Sequence, residues 1–196
     1  MSKTEKTGEA LGSIIGIIFW PIAAILFFCG YDLTMLRIKA VLGNPSAQLQ
    51  LASAYRSGEF DLEKDLDLSI RWNDKAAENG QAIAQYNKYA RLQEDDRRTA
   101  THWLKLSAEG GDYKAQTKLA ALHEQGNFVR QDLVEAYAWH SFAAASGIGA
   151  SIERMKDMQT NLHRDVILKG DERAREIQKT IDARIAAGSL TFKESE

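Results

Sequence analysis

Trp72, Trp103 and Trp139 each sit in the same frame of residues, and that frame limits what the chain can fold into. Seven positions before each stands an aspartate: Asp65, Asp96 and Asp132. Small residues follow at four and five positions (Ala76 and Ala77, Ser107 and Ala108, Ala143 and Ala144), and a glycine closes the frame at eight (Gly80, Gly111, Gly147). One helix accounts for all of it. The aspartate caps the N-terminus, its carboxylate accepting hydrogen bonds from free amides at the positive end of the dipole. Tryptophan and the small residues after it share a face, a bulky group beside sites of close approach. The glycine ends the helix in a left-handed conformation.

Upstream of each frame lies a second helical pattern. Positions 0, +4 and +8 make one stripe: Ala47/Leu51/Tyr55, Ala84/Lys88/Leu92 and Ala115/Leu119/His123. The leading alanines are spaced by 37 and then 31 residues. The middle copy has lost most of the loop between its helices, so that Gln93-Glu94-Asp95 runs almost directly into Asp96. Self-similarity of this kind belongs to stacked helix-hairpin arrays. The only prolines are Pro21 and Pro45, so nothing interrupts the helices that follow. The expected fold is all-α: a short α-solenoid of three hairpins over 44–149 (44–81, 82–112, 113–149), with residues 150–196 as a helical C-terminal cap and tail.

The pattern Ala-x3-Leu-x3-Tyr-x2-Gly, then Asp-x2-Lys-Ala-x2-Trp-x3-Ala-Ala-x2-Gly, resembles the Sel1-like repeat, a relative of the tetratricopeptide repeat. The third copy matches best, with Gly126, Val129, Asp132, Ala136, Trp139, Ala143, Ala144 and Gly147 in place. The first carries an extra loop residue and Ser69 where alanine is usual. In the second, Lys88 replaces leucine and Leu92 replaces tyrosine. The resemblance implies a concave face lined by the first helix of each pair. Carried across, the exposed first-helix positions are Leu49, Ser53, Arg56 and Ser57, then Tyr86, Ala90, Gln93 and Glu94, then Thr117, Ala121, Glu124 and Gln125. Of these, Ser53, Arg56, Tyr86, Gln93, Glu94, Thr117, Glu124 and Gln125 are the candidate partner-binding residues. It also implies an adaptor role in membrane-associated assemblies.

Ahead of the repeats, Ala10 to Tyr31 contains no charged residue. A helix of that length covers the roughly 30 Å of a hydrocarbon core. Leu26-Phe27-Phe28-Cys29-Gly30 is too bulky for a signal-peptide cleavage site, so an uncleaved single-pass anchor is expected. On this reading residues 1–9 are an N-terminal tail and 32–43 a juxtamembrane connector. Gly12 and Gly16 form a GxxxG pair that suits close packing of two such helices, and with it a homodimer. Lys3 and Lys6 on one side nearly balance Arg37 and Lys39 on the other. A short N-terminus before an anchor stays inside, which places the repeats on the periplasmic or extracytoplasmic side of an inner (plasma) membrane; the resemblance implies a bacterial envelope setting.

Charge excludes some roles. With 25 Lys and Arg against 27 Asp and Glu, there is no basic surplus to hold nucleic acid. Cys29 is the sole cysteine, which leaves no intrachain disulfide. GxGxxG, Walker-type, HExxH, CxxC and GxSxG motifs are all missing, and His102, His123, His140 and His163 follow no metal-ligand spacing. The expectation is no enzyme, no cofactor and no metal: a membrane-anchored adaptor that binds protein partners and assembles or regulates an envelope complex. An immunity or inhibitor protein against an envelope toxin or enzyme is the alternative, and a small hydrolase a remote third.

Overall fold

The computed structural model describes residues 32–186. The apolar run 10–31, including Gly12 and Gly16, lies outside the described residues. Among those described, no helix is long and apolar enough to cross a membrane. All their regular structure is helical: α1 (32–41), α2 (Pro45–Ser57), a 3-10 turn (Glu59–Asp61), α3 (Leu66–Glu78), α4 (Ala82–Leu92), α5 (Arg97–Glu109), α6 (Tyr113–Gln125), α7 (Leu133–Ala145), α8 (Gly149–Asn161) and α9 (Arg164–Ala186).

Helices α2 and α3, α4 and α5, and α6 and α7 form three hairpins, and each hairpin stacks on the next. The aspartates expected as caps perform that role. Asp65 accepts from the Leu68 amide at 2.9 Å, Asp96 from Thr99 at 3.1 Å, and Asp132 from Val134 and Glu135. Gly80, Gly111 and Gly147 take φ of 88°, 86° and 79°, the left-handed turn that lets the chain reverse into the next first helix.

The small residues let the helices close up. Ala76, Ala84, Ala100, Ala108, Ala115, Ala136 and Ala143 are completely buried. A glutamine after each leading alanine ties one hairpin to the helix before it. The Nε2 groups of Gln48, Gln85 and Gln116 donate to the carbonyls of Ala40, Ala77 and Ala108 at 2.9, 3.1 and 3.1 Å. Each of these carbonyls already accepts from the amide of Gly43, Gly80 or Gly111, and the glutamine adds a second hydrogen bond from the next helix.

That clasp redefines the stretch read as a connector. Ala40 stands where Ala77 and Ala108 stand, and Gly43 (φ 90°) where Gly80 and Gly111 do. Leu36 and Ala40 pack against Ala47 and Leu51. Helix α1 with the turn at Gly43 therefore takes, against α2, the place that a repeat's second helix takes against the next repeat. The charged Arg37 and Lys39 lie on its exposed side.

At the other end α8 continues the array as a further first helix. The following helix does not fold back along it. Helix α9 crosses the second helices of repeats 2 and 3 instead, its Ala174, Ile177 and Ile181 joining the core of Leu104, Ala108, Ala138 and Trp139. Arg173 pairs with Glu135 on α7, and Arg184 with Glu109 on α5. Gly170 allows the crossing: a Cβ there would sit 2.5 Å from Cδ1 of the buried Tyr137.

Candidate functional site

The first helices α2, α4 and α6 share one face, and a trough of about 310 Å³ crosses their first turns between Ser46, Leu49, Ile83 and Tyr113. Further along, a cleft of about 250 Å³ opens between α2 and α4, lined by Leu49, Ser53 and Arg56 on one side and Ile83 and Asn87 on the other. It continues into a second cleft of about 230 Å³ that shares Arg56, Asn73 and Asn87 with it and adds Leu66, Ile70 and Arg91.

The floor of these joined clefts is polar and ordered. Asn73, on α3, is buried and donates its amide to the Ala84 carbonyl at 3.1 Å. Its Oδ1 accepts from Asn87 Nδ2 at 2.9 Å. Arg91 is held by Asp74, with both carboxylate oxygens within 2.7 Å of Nη2. Arg56 is exposed and has no ion-pair partner among the described residues.

The residues expected on this face separate into three groups. Ser53 and Arg56 line the first cleft. Gln93, Glu94 and Gln125 stand at the ends of α4 and α6, away from these clefts. Tyr86, Thr117 and Glu124 are engaged elsewhere. Tyr86 is half-buried, packs on the core of repeats 2 and 3 and lies 5.8 Å from the Tyr89 ring; its offset in α4 points it away from α2. Thr117 donates to the Tyr113 carbonyl and lies 3.3 Å from the Ser151 hydroxyl.

Glu124 departs furthest from a free groove residue. It accepts from His140 Nε2 at 3.1 Å and from Arg154 Nε at 2.9 Å, joining α6, α7 and α8. Burial lowers the His140 pKa below its ordinary value, against the opposing pull of Glu124. Neutral His140 therefore donates Nε2–H to a carboxylate that can only accept. The sequence held no sign of this link, because its members come from three helices. His140 does occupy the position after the tryptophan, where Asn73 stands in the first repeat, and that position faces the first helices in both.

Lys88 also has a physical account. In place of leucine in the buried stripe, its ammonium lies 4.4 Å from the centre of the Trp103 ring and 3.1 Å from Glu78. The stem packs while the charge is met by a ring face and a carboxylate. Among the described residues, no group of three or more His, Cys, Asp or Glu is placed to hold a metal ion.

The Sel1 repeat family matches residues 45–81, 91–112 and 114–148. The gap at 82–90 falls on the first helix of the middle copy, where Lys88 departs from the pattern. The crystal structure of a Sel1 repeat protein from Oxalobacter formigenes is similar to this chain at 33% identity and a TM-score of 0.60, covering 64% of this chain and 98% of that one. The chitin synthase regulator SKT5 of Saccharomyces cerevisiae is 28% identical over 131 residues, 63% of this chain and 19% of the regulator. The chain thus spans about a fifth of that relative's length.

Proposed function

The chain belongs to the Sel1 repeat family, and from that premise we propose that it is a membrane-anchored adaptor that assembles or regulates an envelope-associated complex through the face formed by its first helices. Sel1 repeat proteins generally mediate protein–protein interactions. The observation that carries the reading here is the joined cleft between α2 and α4. It presents apolar side chains, an ordered amide floor and Arg56, unpaired among the described residues, on one face. Such a surface can bind a peptide or one helix of a partner. The yeast relative is a regulator by name, and that accords with a non-catalytic role.

Anchoring rests on the uncharged run 10–31, and self-association through Gly12 and Gly16 rests on their spacing. The repeats then face the periplasm of a bacterial inner membrane. A reporter fused at the C-terminus, active only outside the cytoplasm, tests the orientation. Co-purification from detergent-solubilised membranes tests the adaptor role. A stoichiometric structural partner is expected; recovery of the chain alone under mild detergent, at every salt concentration tried, refutes it.

A further inference from the structure

The inter-helix loops of the two full-length repeats share one feature. The loop 126–132 places Phe128 at a left-handed φ of 66°, and the loop 58–65 does the same with Phe60 at 57°. Phe128 reaches beyond its own hairpin. Its ring lies 4.8 Å from the guanidinium of Arg97, the first residue of α5 in the repeat before. Its neighbour Val129 packs into the core and lines the same cavity as Thr101, one turn further along α5. This loop thus reaches back to the first turn of the preceding second helix, where the ring touches an Arg97 that stays exposed and Val129 lies beside a half-buried Thr101.

The middle repeat cannot do this. Its helices are joined by residues 93–96 alone, folded tightly with the amides of Asp95 and Asp96 both donating to the Leu92 carbonyl. It holds no counterpart of Phe128 or Val129. The helix left without such a contact is α3, where Leu66 and Ile70 stand at the positions of Arg97 and Thr101. Both are apolar, and they are 64% and 37% exposed. With Ile83 at 52% they bring three exposed aliphatic side chains to the joined clefts. An aliphatic pair at a helix start suits a cover, yet the described chain supplies none.

Resting on the adaptor reading above, we propose that this opening is the partner-binding site, and that its occupant is an extended segment of a protein partner carrying two adjacent apolar side chains flanked by an acidic residue. The apolar pair takes the place that Phe128 and Val129 take beside α5. Asn87, held by Asn73, keeps its Oδ1 and a second amide hydrogen for the segment's backbone. Arg56 receives the carboxylate, while Arg91 remains with Asp74. The middle loop is shortened because its space belongs to the partner.

The probe is a fluorescein-labelled peptide Glu-Asn-Phe-Val-Glu-Gln, patterned on the third loop with acids around its Phe-Val pair, titrated into the full chain in detergent. Saturable binding is expected. It should weaken at least tenfold in Leu66→Asp and Ile70→Asp, both exposed and so expected to keep the helical signal. It should weaken similarly in Arg56→Glu, and on replacing Phe-Val in the probe by Ser-Ser. Thr101→Asp, at the corresponding position of α5, should change affinity less than twofold. A second variant replaces Gln93–Asp95 by Gly-Asn-Phe-Val-Arg-Gln from the third loop, and should melt higher and lose the probe. No binding, or binding indifferent to Leu66, Ile70 and the graft, overturns the assignment. If a stoichiometric partner still co-purifies equally with wild type and Leu66→Asp, the cleft assignment fails and the adaptor reading stands; if no partner is found at all, the adaptor reading fails.

Discussion

Trp139→Ala separates the tryptophan whose packing is complete from the two whose packing is partial. Trp139 is 1% exposed and sits in the core shared by α5, α6, α7 and α9, with its Nε1–H donating to Glu135 at 3.2 Å. Replacing a buried tryptophan by alanine costs about 3–5 kcal/mol in transfer and cavity terms. The lost hydrogen bond adds little, because Glu135 retains Arg173 and so is not stranded. Trp72, by comparison, is half-buried at the edge of the first repeat, with Lys75 Nζ 4.6 Å from its ring centre. About half the transfer value, roughly 2 kcal/mol, is expected there. For a helical array of this size 1 kcal/mol moves the melting temperature by about 2–4 °C. Trp139→Ala should therefore melt about 6–20 °C lower and Trp72→Ala about 4–8 °C lower, followed by the helical circular dichroism signal. Because stacked repeats can open from their ends, urea unfolding of both variants should accompany the thermal scan. If Trp72→Ala costs as much as Trp139→Ala, the shared core is wrongly drawn.

Gly170→Ala gains about 1 kcal/mol of helix propensity but drives a Cβ into the Tyr137 ring, so a net loss of about 1–2 kcal/mol is expected; a higher melting temperature would show that α9 does not cross α7 so closely. Asp65→Ala should cost about 1 kcal/mol through the lost cap on α3, with Asp65→Asn near neutral by the same urea assay. The stability of the fold should depend on pH through His140. Burial holds its folded pKa below the ordinary 6.5, so above that value neither folded nor unfolded His140 binds a proton. As the pH falls below 6.5 the unfolded chain takes up a proton that the folded chain resists, and stability declines. Urea midpoints from about pH 8 to about pH 5.5 should therefore flatten in His140→Gln; an unchanged slope would place the protonation elsewhere.

Much of the scaffold was legible because its devices are local. A capping aspartate, a tryptophan with small residues one turn on, and a left-handed glycine each act within a helix, so their spacing survives in the sequence. The leading Ala-Gln pairs were visible too, but their purpose was not. A glutamine amide that reaches the preceding helix's carbonyl is a contact across a stack, and periodicity records only that it recurs. The groove was legible in part. Ser53 and Arg56 line it as their register implied, whereas Tyr86 turned inward and Glu124 was taken by His140 and Arg154. A rule that first-helix residues face a groove does not say which of the two grooves beside each helix a side chain enters, nor which charges find partners on a third helix. Leu66 and Ile70 escaped because they belong to a second helix, and become exposed only through a deletion 23 or more residues later.

The place of that deletion follows from how such arrays hold together. Each repeat draws its stability from its own hairpin and from the interfaces with its neighbours, so a unit packed on both sides tolerates the loss of a loop that adds nothing to the core. The middle repeat is flanked by α2–α3 and α6–α7; its Trp103 packs on the cores of both sides and Lys88 reaches Glu78 on α3. It can therefore lose a loop, and accept a lysine in its stripe, without losing its fold. The same deletion at the third repeat would remove Val129 from the core beneath α9, and with it contacts on which the cap depends. Degeneracy in the middle copy thus falls where the stack tolerates it and where it uncovers Leu66, Ile70 and Arg56 together. The third repeat's loop, grafted into the middle copy, should then raise the melting temperature and abolish peptide binding in one step; a graft that folds and stabilises the array yet leaves peptide binding intact would detach the deletion from recognition.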